Sequence, residues 1–363
     1  MRRFPPALAA LLLLCPAAFA ETVTVATYNI EHFQERFRAF ELGKKLPKPV
    51  TDPVLKELLD SERRHNDEDN WEVAQVITDD RFNPDVLVIQ EGCTQDNLEY
   101  FNKRWLRGAY ETAIVFPTNT DRDQHLGMLL KPGFKVVEKR DQYHQEKDTT
   151  PNGRGGRLFA RGPAFCLIQT PGGYRFWVGV THQKSKRTDF DKDDEDKIRT
   201  DHPQATRAQR DALEKAAKAK AAADAAAWRN REAKRTHEIM KELEKAGPDD
   251  VMLLGDMNDD LGEDEAEKAA GGDGIAALVG PEADGFLLAT RPLADKGEFS
   301  FGGYWRPDFR NLIDHVVVTR GMKDQIEDVG VFKGSVTRVA SDHYPVFVRV
   351  KSDEPAGVKP QAP

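Results

Sequence analysis

The chain has 363 residues, a formal charge of −8, 31% charged residues and three cysteines. That balance argues against broad electrostatic adhesion to nucleic acid or anionic membrane, although a local phosphate-binding cleft is compatible with it. So few cysteines exclude a disulfide-stapled scaffold.

The opening stretch "MRRFPPALAALLLLCPAAFA" sets two arginines before an apolar run and ends on Ala18-Phe19-Ala20. This is the layout of a signal peptide, residues 1–20, cleaved after Ala20. Its apolar core, 7–14, is far short of the ~20 residues that a membrane span needs. Losing Arg2 and Arg3 takes the charge from −8 to −10. The mature protein is expected to be exported (secreted or periplasmic), without a transmembrane segment, and monomeric. Cys93 and Cys166 match no metal or disulfide spacing and are expected as two separate buried thiols.

Next, "TVTVATYNI" (22–30) alternates and is β-branched, which predicts a strand ending at Asn29. Residues 34–70 are polar and weakly periodic, and predict loops with a short helix at 54–59, followed by a second helix at 71–78. "PDVLVIQEG" (84–92) is a continuous apolar run, as in a strand buried on both faces, and it delivers Glu91 at its end. Further strand-length apolar runs occupy 126–130, 164–169, 175–181, 251–255, 313–319 and 344–350. Strands with only some helices between them predict sheets packed face to face with helices outside, in one domain over 21–351.

Residues 184–246 break this pattern. They read as a charged, alanine-rich helical insertion, and 212–227 holds ten alanines and only one large apolar residue, Leu213. With no stripe to bury, that part is expected to be a solvent-exposed arm. The tail, 352–363, is expected to be disordered.

Polar residues gather where strands end. Asn29, Glu91, His182, Asp256 with Asn258, Asp314, and Asp342 with His343 all stand at such positions. Six such ends together suggest an active site over a sheet edge. The pair Asp-His occurs twice, in "LIDHVVV" and in "SDHYP", and only the second histidine is expected to be chemical; His315 reads as the first side chain of a strand.

In order, "TYNIEHF", "VLVIQE", "ARGPAF", "THQKSK", "LLGDMND", "LIDHVVV" and "SDHYPV" resemble the endonuclease/exonuclease/phosphatase family, over residues 24–349. The resemblance implies an α/β fold, a four-layer DNase I-like sandwich of two mixed sheets flanked by helices. It also implies a divalent metal, usually Mg²⁺, with Mn²⁺ or Ca²⁺ as alternatives. By resemblance Glu91 is the principal metal ligand, helped by Asn29 and Asp342. Asp314 would fix the tautomer of His343 as general base, with Asp256 the alternative for activating the water. Asp256 and Asn258 would orient water and bind a phosphate oxygen, and His182 would donate to the phosphate or leaving group. Arg161 and Lys184 would contact phosphate. The expected activity is phosphodiester hydrolysis, with nucleic acid as the leading substrate. A phosphatase or lipid phosphodiesterase is the alternative, and a non-catalytic scaffold the remote one.

Two positions depart from DNase I-like nucleases. Gln124 stands where a glutamate would partner the first histidine, so His182 is expected to lack an acidic partner. Cys93 replaces an arginine that often follows the metal glutamate by two, which weakens the case for minor-groove binding.

Overall fold

The computed structural model describes residues 21–46, 48–120, 124–150, 156–188, 190, 192–283, 285–302 and 309–352. Residues 1–20, expected to be a signal peptide, and the tail beyond 352 lie outside them. Twelve strands form among the described residues. β1 (Glu21–Asn29), β2 (Val86–Gly92), β3 (Thr112–Phe116) and β4 (His125–Leu130) come first. β5 (Lys135–Arg140), β6 (Ala164–Gln169), β7 (Arg175–His182) and β8 (Val251–Asp256) follow, then β9 (Leu287–Leu288), β10 (Asp314–Val318), β11 (Ile326–Val331) and β12 (Val346–Ser352). One six-stranded sheet runs β11-β12-β1-β2-β4-β3 and the other β5-β6-β7-β8-β10-β9. In each, one parallel central pair, β1–β2 or β7–β8, lies among antiparallel neighbours.

The facing surfaces bury Val23, Val25, Val86 and Val88 against Cys166, Val178, Met252 and Val316. Because side chains alternate along a strand, Ala26, Tyr28, Leu87 and Ile89 point the other way. There they meet the helices α1 (Arg38–Lys45), α2 (Pro53–Ile77) and α3 (Gln95–Arg104). On the outer face of the second sheet, Trp177, Leu253 and Val317 pack with residues of two later helices. This is the expected four-layer sandwich.

Three local expectations are corrected. Residues 53–77 form one helix, not two short ones, capped by Asp52, whose carboxylate accepts from Val54 and Leu55 N–H. It buries only Leu59, Asn66, Asn70, Val73, Ala74, Val76 and Ile77, too sparse a face in its first half to show as a period. Strands β3, β5, β9 and β11 also form where no strand was expected; they are short or half-exposed, so no apolar run marks them. The final strand also starts late, at Val346, and reaches Ser352.

The insertion forms α4 (Lys192–Asp201) and a 40-residue helix, α5 (Arg207–Ala246), which would span about 60 Å at ~1.5 Å per residue. Residues 207–224 are largely exposed, but Ala225, Ala226, Arg229, Glu232, Ala233, Ile239, Met240 and Leu243 are buried. The exposed arm therefore ends at 224, three residues before the expected 227, and the second half of the helix belongs to the domain. Beyond it, α6 (Glu265–Ala270) and α7 (Gly274–Val279) pack on α5. Cys93 and Cys166 are free and buried in different layers.

Candidate active site

The parallel pairs β1–β2 and β7–β8 both end at one edge of the sandwich. In the second sheet, register sets His182 beside Asp256, and Asp256 beside Asp314, across three adjacent strands. Gly255 allows that close pairing. Its φ is +154°, and an added Cβ would lie 1.9 Å from the Thr181 carbonyl oxygen.

One hydrogen bond and two close carboxylate–imidazole contacts link the row. Asp314 Oδ2 is 2.7 Å from His343 Nδ1. Asp256 Oδ2 lies 3.3 Å from His182 Nε2 and 3.8 Å from His343 Nε2. Asn29 Nδ2 donates to Asp256 Oδ2 across the two sheets at 3.0 Å, and the Asn258 N–H donates to Asp256 Oδ1 at 2.8 Å. Ser341 Oγ donates to the Asn29 carbonyl at 2.7 Å and accepts from the His343 N–H, so the segment before β12 is clipped to the end of β1. Asp314 itself is anchored by its N–H on Ser300 Oγ.

His182 therefore has an acidic neighbour, contrary to expectation: it is Asp256, from the adjacent strand. Gln124 instead donates to Glu91 Oε2 at 2.9 Å and lies 3.0 Å from His32 Nδ1. Glu91 follows a break in the β2–β4 register and has φ +52°; its side chain is 18% exposed. Glu31, His32 and Asn258 also have positive φ, so most of the described non-glycine residues with that conformation border this site. Such backbone is costly and concentrates where function holds it.

Burial first, and then the charges of Arg161 and His343, push the His182 imidazole well below its ordinary range. Burial raises Asp256 to about 7, with His343 opposing and Asp314 adding. At His343, burial disfavours the cation, but Asp314 foremost, with Asp256 and Asp342, raises the imidazole to about 10. Burial lifts Asp342 to about 6, opposed by His343 and reinforced by Glu31 and Glu91.

The oxygens of Glu91, Asn29 and Asp342 are hard donors of the kind Mg²⁺ takes. Like-charge crowding of Asp342 by Glu31 and Glu91 is what a divalent cation would relieve. Asp256, Asp314 and His343 also bring potential ligand atoms within 4.8 Å of one another, though the 2.7 Å bond already engages His343 Nδ1 and Asp314 Oδ2. The buried Asp314 Oδ1 has no hydrogen-bond partner. The residues present fit a divalent cation.

Arg161 lies near enough to His182 for its charge to act there, and its buried Nε lacks a hydrogen-bond partner. Lys184 turns away: its ammonium donates to the Arg187 carbonyl and sits 5.9 Å from the Trp228 ring centroid. His315 is the second residue of β10, one later than expected, and is buried between Thr290 Oγ1 and the Asp259 carbonyl. Sequence reasoning missed Gln124 at Glu91 and the Ser341 clip. Of these, only Ser341 carried a signal, as the first residue of "SDHYP".

The profile of the Endonuclease/Exonuclease/phosphatase family matches residues 26–343, and the chain belongs to that family. Its members are hydrolytic phosphoesterases. A family protein from Bacteroides thetaiotaomicron superposes with a TM-score of 0.54 at 16% identity, over 92% of this chain and 99% of that one. A mannosyl-6-phosphatase from the same organism gives 0.52 at 17%, over 90% and 99%. A functionally unknown conserved protein from Enterococcus faecalis gives 0.50 at 14%, over 91% and 99%. At these identities the likeness shows the fold alone. No curated protein matches the chain.

Proposed function

We propose that the protein is an exported, divalent-metal-dependent phosphodiester hydrolase whose leading substrate is nucleic acid. The observation that carries this reading is the connected row His182–Asp256–His343–Asp314, with Arg161 alongside. Asp314 fixes His343 with Nδ1 toward the carboxylate, leaving Nε2 to take a proton from water in the neutral fraction of the ring, which the surrounding carboxylates keep small near pH 7. Asp256 and Asn258 orient that water. His182, held neutral by burial, and Arg161 donate to phosphate oxygens. Glu91, Asn29 and Asp342 would hold Mg²⁺ or a similar ion, which neutralises phosphate charge when bound. Among the described residues no helix is long and apolar enough to cross a membrane; export rests on residues 1–20 and is checked by N-terminal sequencing of the mature chain.

A phosphomonoesterase is the second reading. Cys93, at the position of a DNA-contacting arginine in nucleases, is buried and offers no groove contact. The similarly folded mannosyl-6-phosphatase has a monoester substrate by its name. Assays with Mg²⁺, Mn²⁺ or Ca²⁺ against DNA, RNA, sphingomyelin, inositol phosphates and sugar phosphates decide. Cleavage of nucleic acid that stops with EDTA is expected. Turnover of monoesters alone overturns the first reading, and inertness toward all of them overturns both.

A further inference from the structure

The buried half of α5 reaches the candidate active site. Glu232 is an acidic residue only 1% exposed, on the buried half of the helix. Its Oε1 accepts the Ala160 N–H at 2.5 Å and its Oε2 accepts the Lys184 N–H at 2.6 Å. Those two amides belong to different segments: Ala160 immediately precedes Arg161, and Lys184 follows His182 by two. One carboxylate thus bridges the two backbones that carry the candidate phosphate donors. Burial raises Glu232 to about 7, opposed by these two backbone bonds and by the charges of Arg161 and Arg229; in its ionised form the carboxylate makes bonds of the strong, charge-assisted kind. The Arg161 charge also acts on His182.

A second tie lies one turn earlier on the same face. Arg229 pairs with Asp259 at 3.2 Å and with Glu267 at 2.7 Å. Lys186, from the segment after His182, joins the same two carboxylates at 3.1 and 3.3 Å. Asp259 directly follows Asn258, so this knot holds the segments after β7 and β8 together. No property of a decorative arm requires a buried arginine and a buried glutamate at such spacing.

We infer that Glu232 of α5 is a positioning residue, which sets Arg161 and the segment after His182 at the separation one phosphate group requires. The inference rests on the phosphoester reading of the site. Misplacing a binding group by about 1 Å costs on the order of 100-fold in rate, so loss of the bridge should register in turnover.

The test uses the full mature chain with Mg²⁺ and the best substrate of the panel above. Glu232→Gln keeps the shape but turns an amide N–H toward a backbone N–H; it is expected to lower kcat/KM by about 10- to 100-fold. Arg161→Ala should lower it too, and the double variant should be little worse than Arg161→Ala alone, because both act through one contact. Glu232→Asp, which retains the charge on a shorter stem, should recover part of the loss. Backbone amide exchange supplies a readout without turnover: residues 156–163 and 183–188 should exchange faster in Glu232→Gln, and the strands β6, β7 and β8 should not. Wild-type kinetics in Glu232→Gln, multiplicative effects in the double variant, or unchanged exchange at 160 and 184 overturns the inference. If the wild-type chain hydrolyses nothing in the panel, the functional reading fails, and the exchange comparison alone still decides whether Glu232 bridges the two segments.

Discussion

Asp314→Asn tests the pairing at the centre of the site. The substitution preserves shape, and the buried Oδ1 of Asp314 has no partner to lose, so the fold should persist. Asp256 and Asp342 still face the ring, 3.8 and 3.9 Å from Nε2, which limits the cost of an uncompensated imidazolium; a fall in Tm of no more than about 5 °C is expected. The effect on turnover should be far larger. A positioned acid–base group contributes about 10²- to 10⁴-fold, or roughly 3–5 kcal/mol of barrier. The imidazole titration, followed by NMR, should move down from about 10, because Asp314 is the largest influence raising it. The sign for stability follows. With the folded value above the unfolded one, the dyad's contribution is complete below about 6.5 and is lost as pH climbs through about 10. The variant should therefore lose less stability than wild type across that window. A kcat within threefold of wild type, or an unmoved His343 titration, refutes the pairing.

Metal removal by EDTA should abolish turnover and Mg²⁺ or Mn²⁺ should restore it, whereas Glu91→Gln should raise the metal concentration for half-activity by about tenfold or more, measured by metal titration. Gly255→Ala should destabilise the fold by about 4 kcal/mol or more, since its Cβ would meet the Thr181 carbonyl at 1.9 Å; soluble yield and urea melting report it. Joining residue 190 to residue 218 through a short glycine–serine linker should leave kcat/KM within about twofold, because surface changes of this sort are usually near neutral. The Lys218 ammonium already lies 5.1 Å from the Phe190 ring centroid, so the ends to be joined are close. A tenfold loss would mean that the exposed part of the insertion serves the site.

The central strands were legible because residues 84–92 and 251–255 are apolar on both faces, and sheets buried on both sides write that pattern plainly. The polar ends of those strands were legible too, as residue types at strand termini. What a single chain does not encode locally is which end meets which. That Asp256, rather than a residue near Gln124, neighbours His182 follows from the β7–β8 register, a contact between residues 74 apart. Glu232 was invisible for a related reason. In "WRNREAKR" it looks like one more solvated charge, and only the docking of α5 makes it buried. Helix α2 was split in reading because half of its length buries almost nothing.

The row across β7, β8 and β10 has a consequence for how the protein fails. His182, Asp256 and Asp314 are spaced by backbone ladders about 4.8 Å apart, not by flexible segments. These ladders lie in the middle of a six-stranded sheet, the region that opens last in a cooperative domain. On heating, activity should thus be lost together with the sheet itself and should not precede it. A lineage altering the surrounding segments could shift what is cleaved while inheriting the same reactive geometry.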